Sequence, residues 1–444
     1  MLAEDTIAAI STPPGEGAIA VIRVSGSLAP TIAERLFAKK TGSHSLQERK
    51  LHFGRFRDGE GQLDEGMAVV FRAPRSYTGE DMAEFHCHGG VLVVSRLLEA
   101  VLRAGARAAE PGEFTRRAFL SGKMDLTQAE AVMDVIRAST SVALRFAEEQ
   151  LAGRLGREVE QIRGLLLGIV AHLEAHIDFP EEGIDPRTGE KLLNDVRQVR
   201  SRIERLLETA GEGRILREGV RLVLCGEPNA GKSSLLNRLL GFERAIVSAA
   251  PGTTRDTIEE FASLRGIPFR ITDTAGLRES ADAVEREGVE RARRAMERAD
   301  VILRVIDVTR SPQFEAKPAE VVAANKIDLL EKRSAVPWPR NSIAISCLTG
   351  EGIDRLVDAV VVRARGDHPA EAPMLAAINA RHQACLQRAN LRLQEAEEGL
   401  SRQADPELVA VPLREALDAA GEVVGSTDIE EILGEIFGKF CIGK

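Results

Sequence analysis

A chain of 444 residues that is 44% hydrophobic is long enough for about three domains with real cores, and its formal charge of −9 argues against a generally basic nucleic-acid-binding surface. No stretch approaches the roughly 18 consecutive apolar residues of a membrane span, and the acidic start Met1-Leu2-Ala3-Glu4-Asp5 lacks the basic beginning of a secretory signal. The five scattered cysteines, Cys87, Cys225, Cys347, Cys385 and Cys441, form no C-x-x-C pair and fit a reducing cytoplasm, the expected location.

Residues 1–120 read as a mixed α+β domain. Strand-like runs occur at Thr6–Ile10, Ala18–Val24 and Met67–Phe71, with a turn at Pro13-Pro14-Gly15 and a helical stretch at Val91–Ala104. His86 and His88 flank Cys87, which could suggest a metal, but without a second ligand cluster a strand or loop position is the better reading. Residues 121–215 are helical. Leu151, Leu155, Val159, Ile162, Leu166, Ile169, Val170, Leu173 and Ile177 recur at 3- and 4-residue spacing. Asp178-Phe179-Pro180-Glu181-Glu182-Gly183 breaks the run, and a second helix carries Val196, Val199, Ile203, Leu206 and Leu207.

The segment 216–366 carries the chemistry. The apolar run Val220–Cys225 reads as a buried strand, Gly226-Glu227-Pro228-Asn229-Ala230-Gly231-Lys232-Ser233 follows as G-x-x-x-x-G-K-S, and a helix begins near Ser234. Glycines at these places let successive N–H groups, through Ala230 and Gly231, turn inward at phosphate oxygens, and the helix adds its positive end. Lys232 reaches the β- and γ-phosphates and the Ser233 hydroxyl ligates Mg²⁺. Gly252-Thr253-Thr254-Arg255-Asp256 offers Thr254 as a second Mg²⁺ ligand. Asp273-Thr274-Ala275-Gly276 follows the short run Phe269–Thr272; Asp273 holds the metal through a water, and the Gly276 N–H senses the γ-phosphate. Asn325-Lys326-Ile327-Asp328 follows another apolar run, Val321–Ala324. A carboxylate at Asp328 accepts from both N1–H and the 2-amino group of guanine, an edge that adenine lacks, so ATP is rejected by a factor on the order of 10⁴. In this order the short motifs make a Ras-like P-loop GTPase, with GTP as its nucleotide.

Leu277 stands where signalling GTPases place the glutamine that orients the attacking water. Neither Arg255 nor Arg278 can be assigned as an arginine finger by position. Asn229 instead offers a side-chain oxygen that, with backbone oxygens of 248–253 and the phosphates, could cage a monovalent cation where such a finger acts.

Beyond the GTPase, residues 367–444 are helical again, over Ile378–Arg402 and Leu408–Phe440. The simplest assembly folds the two helical segments together as one bundle with the GTPase inserted; two separate helical domains are the alternative. A GTPase switch for ribosome assembly and a scaffold with a vestigial GTPase are the competing functions. The first lacks a basic or KH-like RNA module, and intact Lys232, Ser233, Asp273 and Asn325 oppose the second.

The whole chain resembles one family, the tRNA modification GTPases called MnmE or TrmE. The likeness rests on Ser76-Tyr77-Thr78-Gly79-Glu80-Asp81, on Pro111-Gly112-Glu113-Phe114-Thr115-Arg116-Arg117-Ala118-Phe119-Leu120-Ser121-Gly122-Lys123, on Asp125-Leu126-Thr127-Gln128-Ala129-Glu130-Ala131 and on the terminal Cys441-Ile442-Gly443-Lys444.

The resemblance implies a homodimeric, potassium-stimulated GTPase. It implies a heterotetramer with the FAD-dependent partner MnmG that attaches an aminomethyl-type group, as in 5-carboxymethylaminomethyl uridine, to carbon 5 of the wobble uridine of certain tRNAs. It implies an N-terminal domain that holds the dimer and binds a tetrahydrofolate derivative (5-formyl or 5,10-methylene) as one-carbon donor. By the same resemblance the folate contacts fall on Arg23, Glu80, Lys123 and Lys444, and the catalytic acid on Glu285. Potassium ligands fall on Asn229, Ser248, Ala250 and Thr253, and the guanine-supporting motif on Ser346 and Cys347, alongside Ser234, Thr274, Ala275 and Lys326 of the nucleotide motifs. Ser248 and Ala250-Pro251 depart from the usual potassium-loop residues, and Pro251 removes one N–H and stiffens the loop. Cys441 is implied to matter for the modification; its place four residues from the end only superficially suggests prenylation, which Gly443 and Lys444 fit poorly.

Overall fold

The computed structural model describes residues 5–40, 45–59, 61–178, 190–242, 259–273, 293–310, 317, 320–330, 342–366, 378–426 and 430–444. The chain divides into two compact units, Met1–Met133 with Gly156–Arg163 and Asp418–Lys444, and Asp134–Leu155 with Gly164–Leu417.

In the first unit, seven strands form one sheet: β1 (Ile7–Ile10), β2 (Gly17–Ser25), β3 (Phe37–Lys39), β4 (His52–Asp58), β5 (Gly61–Phe71), β6 (Met82–Gly89) and β7 (Arg107–Ala108). Their order is β3-β4-β5-β6-β2-β1-β7, antiparallel throughout except for the β1–β7 pair. Alternation decides the faces. Ile22, Val24, Phe56, Ala68, Phe85 and Cys87 point to one side and close a core with Ile32 and Leu36 of the helix Ala29–Leu36 and Leu97 and Val101 of the helix Val91–Arg103. The histidine–cysteine–histidine run is thus strand β6. Cys87 is buried in the core and its thiol is pushed up to about 11 by burial, and among the described residues no cluster of metal-ligating side chains occurs.

In the second unit, six strands form the other sheet: β8 (Val220–Gly226), β9 (Glu259–Leu264), β10 (Ile267–Asp273), β11 (Val301–Asp307), β12 (Glu320–Asn325) and β13 (Ser342–Ala344). The order β13-β12-β11-β8-β10-β9 is parallel except for β9, which pairs antiparallel with β10. Leu222, Leu224, Phe269, Leu303 and Val305 pack against the helices Lys232–Leu240 and Ile353–Arg365 on one face, and Ile306, Val322 and Ala324 form a smaller core on the other. After β10 the chain crosses to the opposite side of β8, so β8 lies at the switch point where such sheets open a crevice beyond their carboxyl ends.

The helices Glu190–Glu208 and Ala380–Ser401 pack side by side, although the GTPase-like sheet lies between them in sequence. Val196, Val199, Ile203 and Leu206 face Leu386, Ala389, Leu393 and Ala396 as buried stripes, and Arg197 and Arg200 grip Glu397 at 2.7 and 2.5 Å. The expected helical run through Leu151 is in fact two helices, Ser141–Leu151 and Arg154–Asp178, because Gly153 takes φ +79° between them. The run from Leu408 to Phe440 is likewise interrupted. One helix, Pro406–Val424, ends at Gly425 (φ +82°), and another, Glu430–Phe437, follows. Among the described residues no helix is long and apolar enough to cross a membrane.

Candidate functional site

Four strands of the second sheet end together. Val305 of β11 lies opposite Gly226, Asp273 of β10 opposite Leu224, and Asp307 of β11 opposite Asn325 of β12. The loop Gly226–Ser233 leaves this edge as a tight coil. Gly226 takes φ +146°, and a Cβ there would lie 2.2 Å from the Val305 carbonyl. Gly231 takes φ +100°, and a Cβ there would meet the Asn325 amide at 2.2 Å. Both positions therefore require glycine. Asn229 is exposed and also left-handed at φ +62°, a conformation asparagine tolerates. Lys232 opens the helix Lys232–Leu240 and is buried; its Nζ donates to the carbonyls of Gly226 (3.0 Å) and Glu227 (2.8 Å). Ser233 and Ser234 follow on the helix, exposed.

Asn325 fastens three segments together. Its Nδ2 donates to the Ala230 carbonyl at 2.9 Å, its Oδ1 accepts the Cys347 N–H at 3.0 Å, and the residue is 2% exposed. Lys326 follows at φ +71° and its Nζ meets Asp307 at 2.6 Å. Burial alone would raise the Asp307 carboxyl, but the bonds from Lys326 and Thr309 outweigh it and hold the group below the usual carboxylate range. Asp328 sits in the turn Ile327–Leu329. The Ser346 hydroxyl donates to its Oδ1 at 2.6 Å while accepting the Thr349 N–H at 3.1 Å, so the hydroxyl proton is committed to the carboxylate. Behind this loop Arg238, from the helix that starts at the phosphate loop, donates to the carbonyls of Cys347 (2.9 Å) and Leu348 (2.7 Å). Cys347 is buried, and burial pushes its thiol up to about 11, so at neutral pH it acts as a small neutral filler. The structure thus brings Asn229, Ala230, Gly231, Lys232, Ser233, Asp273, Asn325, Lys326, Asp328, Ser346 and Cys347 to one edge of one sheet. Ser248, Ala250, Thr253, Thr254, Thr274, Ala275, Gly276 and Glu285, with Leu277 and both candidate arginines, lie outside the described residues.

In the first unit the chain's last residues return to its first strand. Gly443 accepts from the Ser11 hydroxyl at 3.1 Å, the Cys441 carbonyl accepts the Gly112 N–H at 3.4 Å, and a Cβ on Gly443 would strike the Ile10 carbonyl at 2.3 Å. Lys444 is half-buried; burial and then the charge of Arg23 push its ammonium below the usual lysine value. Arg23 pairs with Glu84 at 2.9 Å, directly across the β2–β6 ladder, and lies 5.2 Å from the Tyr77 ring. Beside them is a cavity of about 430 Å³ lined by Tyr77, Glu84, Arg49, Arg75 and Lys123, among others. Lys123 also donates to the Pro74 carbonyl at 3.1 Å. Glu80 is held elsewhere in this region, by the Ser25 hydroxyl at 2.7 Å and Arg117 at 3.2 Å. Arg117 is itself buried and tied to Asp5 and Glu113. Cys441 is exposed.

A family model described as the MnmE helical domain matches residues 126–441, and one described as the GTP-binding protein TrmE N-terminus matches residues 6–123. A protein of Akkermansia muciniphila named "tRNA modification GTPase MnmE" is 47% identical over 99% of both chains. Proteins of the same name from Geobacter metallireducens and Roseiflexus castenholzii are 45% and 44% identical, each with 100% of both chains covered. The chain belongs to the tRNA modification GTPase MnmE family.

For an MnmE-family chain, several residues that shape these sites escaped the sequence reading. Asp307 ends the strand Val301–Asp307, apolar before it except for Arg304, as Asp273 and Asn325 end theirs, and that strand-end position was the available signal. Glu84 and Arg23 are paired only by sheet register, and Arg238 lies in an unremarkable helix, so neither partnership leaves a local pattern.

Proposed function

We propose that this chain is a potassium-stimulated GTPase. With a flavin-dependent partner of the MnmG type, it modifies carbon 5 of the wobble uridine of certain tRNAs with an aminomethyl-type group, using a tetrahydrofolate derivative as one-carbon donor. The observation that carries this reading is that the likeness to proteins named for tRNA modification runs the full length of the chain and is not confined to the GTPase module.

On this reading GTP lies with its phosphates against the N–H groups of Asn229–Ser233, and Lys232 binds the β- and γ-phosphate oxygens. Asp328 accepts from the guanine N1–H and 2-amino group, with the Ser346 hydroxyl fixing its free rotation. The hydroxyl of Ser233, with Thr254 and a water on Asp273, would hold Mg²⁺. The side-chain oxygen of Asn229, with oxygens of Ser248, Ala250 and Thr253, would hold K⁺. Oxygen donors of this kind suit such hard cations. Bound there, the two ions supply the positive charge that an arginine finger supplies in other GTPases. Glu285 places the attacking water and Leu277 does not, since an apolar side chain has no acceptor. In the N-terminal domain, which also holds the homodimer, Arg23, Glu80, Lys123 and Lys444 bind the folate. The cavity beside Arg23 and Glu84 has a lysine and arginines for an acidic tail and a tyrosine for a flat ring. Cys441 takes part in the modification.

The test is nucleoside analysis of tRNA from cells that lack their own MnmE-type protein, are supplied with this chain and contain the flavin-dependent partner. Restored C5-modified wobble uridine is expected. Absence of the modified nucleoside, with the protein present and turning over GTP, overturns the tRNA reading.

A further inference from the structure

Within a chain of net charge −9, residues 37–57 carry Lys39, Lys40, Arg49, Lys50, Arg55 and Arg57 against a single acid, Glu48. Lys39 ends β3 opposite the inward Gly54, Arg49 and Lys50 lie just ahead of β4, and Lys40, just after β3, joins Arg55 and Arg57 on the side of Phe53. Along β4 the residues alternate. Gly54 and Phe56 are buried, while Phe53, Arg55 and Arg57 are exposed, as is Leu51 just before the strand. Phe53 and Leu51 each leave 52% of their surface open, and the Lys40 ammonium lies 5.3 Å from the Phe53 ring. The acid nearest this face, Glu65 on β5, is shared between Lys40 (3.5 Å) and Arg55 (3.8 Å), so it offsets only part of the charge.

Sheet register carries the face onward. Phe53 lies opposite Met67, Met67 opposite His86 and His86 opposite Val21, so the outward side of β4 is also the side that presents Glu84 and Arg23. The basic strip and the cavity beside Glu84 are therefore on one face of one sheet.

Resting on the tRNA-modification reading above, we infer that the outward face of β3 and β4 is a tRNA-binding surface, in which Lys40, Arg55 and Arg57 contact phosphates and Phe53 stacks on an unpaired base. Cations that line a strand can follow a phosphate backbone, and an exposed aromatic ring among them supplies a stacking platform. The face runs toward the cavity, so a tRNA held here brings a splayed loop base to the same side as the proposed one-carbon site.

The experiment uses the full-length protein, unfractionated tRNA and fluorescence anisotropy over a range of KCl. The triple variant Lys40→Gln/Arg55→Gln/Arg57→Gln is expected to bind at least tenfold more weakly at low salt. Its salt-dependence slope is expected to be about 2 smaller than the parent's, since each lost phosphate contact removes about 0.7–0.9. Phe53→Ala is expected to weaken binding by about fivefold or more with the slope unchanged. Both variants should keep the parent's GTP turnover and thermal midpoint, which guards against misfolding. If the parent binds tRNA and the triple variant binds it equally well, the surface is wrong and the tRNA reading survives. A triple variant altered only in self-association likewise overturns the assignment, in favour of a contact between copies of the chain. If the parent itself fails to bind tRNA at low salt, the surface and the tRNA reading fall together.

Discussion

The Asn325 side chain donates to the Ala230 carbonyl at 2.9 Å across 95 residues of sequence, so the glycine-rich loop Gly226–Ser233 and the motif Asn325–Asp328 are parts of one hydrogen-bonded assembly. The other end of the same amide holds the Cys347 N–H at 3.0 Å. Asn325→Ala strands both buried partners, at a cost of about 1–3 kcal/mol each. The variant should lose about 2–6 kcal/mol of domain stability and bind GDP far more weakly. Calorimetric unfolding and nucleotide titration measure the two effects. A variant with unchanged GDP affinity would show that the strap does not position the loop.

Asp328→Asn should exchange guanine for xanthine. The amide presents a donor where xanthine has a carbonyl, and the preference for GTP over XTP should fall by a factor of about 10² or more. Competition binding with GTP, XTP and ATP checks this. ATP should compete poorly with the unmutated protein.

Arg238→Ala should damage base reading more than phosphate binding. Arg238 holds the Cys347 and Leu348 carbonyls from behind, and the neighbouring Ser346 hydroxyl aims Asp328. The affinity ratio of GTP to ITP, which lacks the 2-amino group, should narrow by about threefold to tenfold, corresponding to about 0.7–1.4 kcal/mol for hydrogen bonds of this kind. Arg238→Lys should recover part of it. A uniform loss for both nucleotides would mark Arg238 as merely structural.

Turnover of GTP should be at least tenfold faster in KCl than in NaCl, and Asn229→Ala should remove most of that difference while leaving GDP affinity within a few-fold. The exposed, left-handed Asn229 in the loop and the apolar Leu277 motivate this. Steady-state phosphate release in the two salts decides it; identical rates would refute it.

Acid should unfasten the N-terminal unit. Burial would raise the Glu113 carboxyl, but Arg107 (2.5 Å) and Arg117 (3.0 Å) hold it below the usual carboxylate range. A folded-state value below the unfolded one means that stability is fully present above the unfolded pKa and is lost as pH falls through the folded one. The thermal midpoint should therefore hold near neutrality and fall from about pH 4.5 downward. Glu113→Gln should start lower and fall less steeply over that window, as thermal scans from pH 3 to pH 7 would record.

What the sequence made legible is what depends on local spacing. The glycine-rich loop, the strand-end motifs and the main amphipathic helices all follow from positions within a few residues of each other. Register and distance hid the rest. Arg23 finds Glu84 only because β2 and β6 pair in one alignment, and Glu80 proves to be held by Ser25 and Arg117. Strands such as β4 alternate arginine and phenylalanine on an open face, so their hydrophobic signal is carried by Phe56 and little else in the strand. The breaks at Gly153 and Gly425 are glycines in left-handed conformations inside otherwise continuous apolar stripes, and a periodicity count passes over them.

The pairing of Glu190–Glu208 with Ala380–Ser401 sets a timetable for synthesis. Arg197 meets Glu397 across 200 residues, so the first helix leaves the ribosome with its apolar stripe bare. At about 5–20 residues per second its partner arrives about 10–40 s later. In that interval the intervening sheet, whose strands all lie between the two helices, has every contact it needs to close. A nascent chain should thus acquire a folded nucleotide-binding module while Leu192, Val196 and Ile203 still wait for cover, and in that window a chaperone has its strongest reason to bind.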